Sequence, residues 1–170
     1  MARVVVAALV LVLCGGGDAP ASGLDDPVPV RIETREPWTW PLEAPLRLER
    51  AFIAPAHEYG PGHRGIDVQA LGAAGVLAPA GGTVAFSGDV GGRGIVTIDH
   101  GDGLVTTLEP VESDLVPGSP VARGDVVGRL ALGGHAPPGR LHFGVRLDGA
   151  YINPMLLLGG VPRAVLLPCC

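Results

Sequence analysis

Lysine is missing: all 12 basic residues of the 170-residue chain are arginine. Chemistry that needs a lysine amine, such as a Schiff base or an attached biotin or lipoyl group, is thereby excluded. Basic blocks are missing too, and the net charge is −5. A phosphate-contacting surface has no footprint here, so no nucleic-acid partner is expected. Aromatic residues make up only 4% of the chain, so a core must come from Val, Leu, Ile and Ala, within the 47% that is hydrophobic. No apolar run approaches the roughly 20 residues of a membrane-spanning helix. No stretch keeps a helical period over three turns. Of the three cysteines, Cys169 and Cys170 are neighbours. Their Cα atoms sit closer than a relaxed disulfide prefers, and they are assigned no chemistry.

What is abundant is Gly and Pro, 27 and 17 residues, set between short apolar runs. That is the pattern of an all-β protein with many tight turns, in the form of a compact antiparallel sheet or sandwich. Strands are predicted at 46–50, 66–69, 76–78, 83–87, 95–99, 104–108, 126–132 and 141–147. His100-Gly101-Asp102-Gly103 reads as a hairpin turn, with His100 a turn residue bonded to backbone, and Asp148-Gly149 as another turn. Ahead of the strands, Met1-Ala2-Arg3 and the apolar run 4–13 read as a signal peptide spanning 1–21. Ala19-Pro20-Ala21 is its cleavage site before Ser22. A secreted, extracytoplasmic, cell-wall-associated protein is expected, with a membrane tether only if Cys14 is lipidated. The preceding Leu13 is larger than a lipobox favours. Residues 22–45 read as an extended Pro-rich arm, with Trp38 and Trp40 packing it onto the domain at 46–158. Residues 159–170 form a tail.

The chemistry centres on His63-Arg64-Gly65-Ile66-Asp67. On a strand, positions four apart face the same way, so His63 and Asp67 share a face, with Gly65 leaving it clear. His142 completes a His/Asp/His set for Zn²⁺. Three protein ligands leave one position open, the pattern of a catalytic zinc site, where the metal lowers the pKa of water and polarises a carbonyl. Of the other histidines, His57 lies in a Pro/Gly loop. His135 lies in Gly133-Gly134-His135-Ala136-Pro137-Pro138, just before Arg140.

The order of motifs resembles the LytM/lysostaphin-type zinc metalloendopeptidases, which cut peptide cross-links in bacterial peptidoglycan. It runs from His63-Arg64-Gly65-Ile66-Asp67 through Ala78-Pro79-Ala80-Gly81-Gly82-Thr83-Val84 and Ile98-Asp99-His100-Gly101. It continues with Val121-Ala122-Arg123-Gly124-Asp125-Val126-Val127-Gly128, Leu141-His142-Phe143-Gly144 and Tyr151-Ile152-Asn153-Pro154. The resemblance implies the family's duplicated hybrid motif fold. It also implies zinc ligands at His63, Asp67 and His142, and peptidoglycan cross-bridges as the partner.

The chain departs from that pattern twice. The family's last motif is His-Leu-His, and Arg140 stands at its first histidine. Arginine cannot serve as a base, but on the same face as His142 it can hold an oxyanion or a carboxylate. Earlier, Leu108 and Pro110 stand where the family has a tyrosine and a catalytic histidine. Alternation points the intervening Glu109 away from the site. A Glu-Pro pair here, with the later histidine substituted, also resembles a subgroup from high-GC Gram-positive bacteria. Arg140 and His135 are the candidate catalytic helpers. Losing acid–base help typically costs two to four orders of magnitude in rate. Three readings follow: a zinc endopeptidase; a silent zinc- and peptidoglycan-binding module that recruits or regulates another cell-wall hydrolase; and a phosphoryl carrier of the sugar-transport system, against which the export signal and Arg140 argue.

Overall fold

A computed structural model describes residues 37–159, apart from 44, 58, 73, 74 and 132–138. The segment expected to be a signal peptide, Cys14, most of the expected arm, His135, Cys169 and Cys170 lie outside the described residues. The described chain is strand after strand, with one short 3₁₀ turn at Pro154–Leu156. The strands are β1 (Leu46–Arg50), β2 (Gly65–Ala70), β3 (Gly75–Leu77), β4 (Gly82–Asp89), β5 (Gly94–Gly101) and β6 (Leu104–Glu109). They continue with β7 (Val111–Glu112), β8 (Pro120–Val121), β9 (Val126–Leu130), β10 (Arg140–Leu147) and β11 (Ala150–Ile152). All pairings are antiparallel, in an eight-stranded sheet ordered β1-β2-β10-β6-β5-β4-β8, with β11 added on β10, and a three-stranded sheet β3-β9-β7. This is the all-β antiparallel architecture that the turn spacing predicts.

The alternation of the strands decides which face meets the core. Leu104, Thr106 and Leu108 of β6 are buried, and Val105, Thr107 and Glu109 are not. On β10, Leu141, Phe143 and Val145 are fully buried, as are Ile66 and Val68 of β2. Val76, Val111 and Val127 from the small sheet join them in one hydrophobic cluster. The opposite face of β2, β10 and β6 is left for chemistry.

Two Asp-Gly pairs make the tight turns. Asp102 and Gly103 (φ 51° and 76°) join β5 to β6, and Asp148 and Gly149 (φ 49° and 84°) join β10 to β11. Positive φ at both central residues matches the right-handed twist of the strands, the hairpin preference of this pair. The two turns abut, since the Asp148 N–H donates to the Gly103 carbonyl at 2.9 Å.

The tryptophan segment packs as the sequence predicts. Trp38 is buried and Trp40 packs against the same cluster. The Thr39 N–H donates to Pro79 O, and Leu77 N–H to Pro41 O, so 37–43 runs along β3. His100 differs from the expectation. It lies in β5, where the register shifts between Asp99 and Gly101, and not in the turn. Its Nδ1 is 2.9 Å from the Gly81 carbonyl, its Nε2 is 2.8 Å from Thr106 Oγ1, and its ring lies 4.6 Å from that of Trp38.

Burial lowers the His100 pKa below its ordinary 6.5, against the opposing pull of the Gly81 carbonyl and Asp99. The unfolded chain therefore binds a proton on His100 that the folded chain refuses. Stability falls as the pH drops below about 6.5, down to the folded value. Thermal melts from pH 7.5 to 5.5 should show this decline, and His100→Gln should flatten it. An unchanged slope in the variant would place the proton uptake elsewhere.

Candidate metal centre

Strands β2 and β10 are hydrogen-bonded neighbours in which His142 stands directly opposite Asp67. Ile66, Val68, Leu141 and Phe143 turn into the core, so Asp67 and His142 must share the outer face. The Asp67 Oδ1 is 2.7 Å from His142 Nδ1 and 3.0 Å from His63 Nε2. The two imidazoles meet edge to face with centroids 5.0 Å apart.

His63 reaches this point from a different local structure than predicted. It does not share a strand with Asp67, because β2 begins only at Gly65. It forms an isolated bridge with Ile53, its N–H and C=O both bonded to that residue at 2.8 and 3.0 Å. Its Nδ1 sits 2.7 Å from the Ala51 carbonyl. A carbonyl only accepts, so Nδ1 carries the proton there, and Nε2 is the nitrogen turned to the centre. His63 is 6% exposed, so the ring is held on all sides.

Gly65 provides the room for His142. A Cβ there would run into the Phe143 carbonyl oxygen and come within 2.8 Å of Cε1 and Nε2 of the His142 ring. The ring occupies space that a side chain at Gly65 would otherwise need.

Burial raises the Asp67 pKa, but the hydrogen bond from His142, the charges of His63 and His142 and the bond from His63 together outweigh it. Asp67 is held below its ordinary 3.8 and is ionised at neutral pH. One nitrogen from each imidazole and one carboxylate oxygen lie within 4.8 Å of one another, and no other such trio converges among the described residues. Zinc accepts this N, N, O donor set, and tetrahedral bonds of about 2 Å put neighbouring donors roughly 3.3 Å apart. The 3.0 and 2.7 Å contacts on Asp67 are close to that spacing. His63 Nε2, Asp67 Oδ1 and His142 Nδ1 therefore fit a zinc ion.

Arg140 stands opposite Gln69 on the same face, one strand step from His142. Its Nη2 is 3.4 Å from Glu49 Oε2, and Glu49 also holds Arg47 at 2.6 Å. Glu109 requires a correction. It stands directly opposite His142, on the site face and not away from it. Leu108 beside it is fully buried, which fixes the alternation, and Pro110 is buried as well. Arg93 Nε lies 3.0 Å from Glu109 Oε2. Matching Leu108 to a site residue put it on the outer face, and its burial in the core reverses that assignment for Glu109 as well. His57 is exposed in its loop and outside the trio.

The family model for peptidase family M23 matches residues 61–154, from just before His63 to just beyond β11. Over 168 residues the chain is 34% identical to the uncharacterized protein Rv2891 of Mycobacterium tuberculosis, covering 94% of this chain and 64% of that one. The DD-carboxypeptidase/endopeptidase Mpg of Neisseria meningitidis is 32% identical over 94 residues, which are 55% of this chain and 22% of Mpg. A chain from the SpoIIQ–SpoIIIAH pore forming complex shares the fold at a TM-score of 0.60 and 20% identity, with 74% of this chain and 92% of that one covered. The chain belongs to peptidase family M23, the LytM/lysostaphin-type zinc metallopeptidases. It spans 64% of the length of its mycobacterial relative, less than two thirds.

Proposed function

We propose that the protein is an exported, zinc-dependent endopeptidase-like domain that acts on peptide cross-links of peptidoglycan. The observation that carries this is the convergence of His63 Nε2, Asp67 Oδ1 and His142 Nδ1 on one point of the sheet's outer face. Family membership supports the substrate class, and the Mpg relative carries both peptidase activities in its name. Zinc bound there supplies Lewis acidity toward a peptide carbonyl and toward water.

The protein's own residues do the remaining work. Ala51 fixes the His63 tautomer through its carbonyl, and Ile53 fixes the backbone around it. Asp67 brings the negative charge that offsets part of the cation's. Gly65, without a side chain, leaves the space into which the His142 ring fits, and so sets where that ring stands over β2. Glu109, opposite His142, is the group placed to take a proton from the attacking water and pass it to the leaving amine.

A second reading is a module that keeps the zinc site and binds peptidoglycan without cleaving it, and recruits or regulates another cell-wall hydrolase. The ion pairs favour it: Arg140 is tied to Glu49 and Glu109 to Arg93, so both groups flanking His142 are engaged. The fold also occurs in the SpoIIQ–SpoIIIAH complex, and fold alone does not decide activity.

Incubating the zinc-loaded protein with purified peptidoglycan, with and without chelator, separates the two. Release of new amino groups that chelator abolishes is the expected result. Sedimentation with peptidoglycan without release supports the module, and neither release nor binding contradicts both.

A further inference from the structure

We propose that Arg140, anchored by Glu49, forms a subsite for a substrate carboxylate located one residue beyond the bond at the metal centre. This rests on the peptidase-like reading above and adds a specificity determinant to it.

Position is the first argument. Leu141, Phe143 and Val145 are fully buried, so Arg140, His142, Gly144 and Arg146 line the outer face of β10. Two residues along a strand advance about 6.6 Å. In a peptide, the carbonyl carbon being attacked and the carboxylate of the next residue are separated by N and Cα, about 3–4 Å. A hydrogen-bond length added to that is comparable with the backbone spacing of His142 and Arg140, so a carboxylate one residue beyond the bond falls toward the Arg140 end of the face.

Charge is the second. Glu49 is shared by two guanidiniums, Arg47 at 2.6 Å and Arg140 at 3.4 Å. Arg47 Nη2 also lies 3.5 Å from Gln69 Oε1. Two cations on one anion leave a net positive charge beside the centre. Arg140 meets Glu49 through Nη2 at the longer distance, which leaves other N–H groups of its planar fork for a second carboxylate. Its side chain is 34% exposed, open to a ligand and still anchored.

Local structure is the third. The register of β1 against β2 shifts between Leu48 and Arg50, which places Glu49 in a bulge. A bulge re-aims a side chain out of the ladder, and here it turns the Glu49 carboxylate toward Arg140. The position occupied by an acid–base histidine in the resembling family is thus rebuilt as a held cation. Cleavage itself is ordinary hydrolysis: OH adds to the acyl carbon, H to the departing amine, and the recognised carboxylate is unchanged.

The carboxylate has two possible sources, the C-terminus of the peptide or an acidic side chain on its last residue. Calorimetry on the zinc-loaded protein distinguishes them with two peptide pairs. One is N-acetyl-L-Lys-D-Ala-D-Ala as free acid and as C-terminal amide. The other is the amide with D-Glu or D-Gln as last residue. In one pair the charged member should bind on the order of tenfold more tightly or better. Arg140→Gln should bring that ratio toward one, and Arg140→Lys should retain part of it. Equal binding within both pairs, or no binding by any peptide, overturns the subsite. A preference that survives Arg140→Gln overturns it too, since the carboxylate then sits on the metal. Discrimination without hydrolysis contradicts the peptidase reading alone, and hydrolysis without discrimination contradicts the subsite alone.

Discussion

Gly65→Ala is expected to empty the metal centre with a change of one methyl group. A Cβ at this position meets the Phe143 carbonyl oxygen and lies within 2.8 Å of two His142 ring atoms. Gly→Ala in an unstrained site gains about 0.4–1 kcal/mol through the unfolded state. Overpacking costs about 1–3 kcal/mol. The clash wins here, because one of its partners is backbone in a central strand pair and cannot rotate aside. The cheapest relief is to swing the His142 ring off Gly65, which takes Nδ1 away from Asp67. Zinc affinity should fall by about 100-fold or more, the upper end of what ligand-orienting groups contribute. Zinc content by metal analysis and a thermal melt check both halves. Full zinc retention in a stable Gly65→Ala protein would show that His142 does not hold the ion through this ring position.

Glu109→Gln is expected to lower peptidoglycan hydrolysis by roughly 10²- to 10⁴-fold, the usual range for a lost acid–base group. Register places Glu109 across from His142, and directly opposed side chains on neighbouring strands lie about 5 Å apart at Cβ. Glutamine keeps the shape and the contact surface but accepts no proton. Zinc content should not change, which separates a proton-handling role from damage to the site. Hydrolysis at the parent rate in Glu109→Gln would assign the proton transfers to another group. Arg93, 3.0 Å from the carboxylate, is the natural control. Arg93→Gln should loosen Glu109 and reduce the rate less than the loss of Glu109 itself.

The framework was legible because the local signals agree with one another. The Asp-Gly turns, the period-two alternation of β6 and the Val/Ile runs all point to short antiparallel strands. The trio was legible through motif order, since His63, Asp67 and His142 each stand in a recognisable stretch. What escaped were features that depend on contacts between distant segments and on where strands slip. His63 lies outside β2 and owes its aim to Ala51 and Ile53, which a rule of four residues along one strand does not include. Glu109 was expected on the wrong face, because Leu108 and Pro110 were matched to site residues, while burial of Leu108 turns Glu109 outward to His142. His100 was expected in a turn, but the shift after Asp99 keeps it in β5 under Trp38. The anchoring of Arg140 depends on the bulge at Glu49, seventeen residues ahead of β2's Ile66 and far from β10 in sequence.

The most direct measurement is the metal content of the purified protein after zinc loading and exhaustive dialysis, for the parent chain and for His63→Ala and His142→Ala. Zinc held by His63, Asp67 and His142 predicts close to one ion per chain in the parent and close to none in either variant. A parent chain that retains no zinc, or variants that retain as much as the parent, would contradict it.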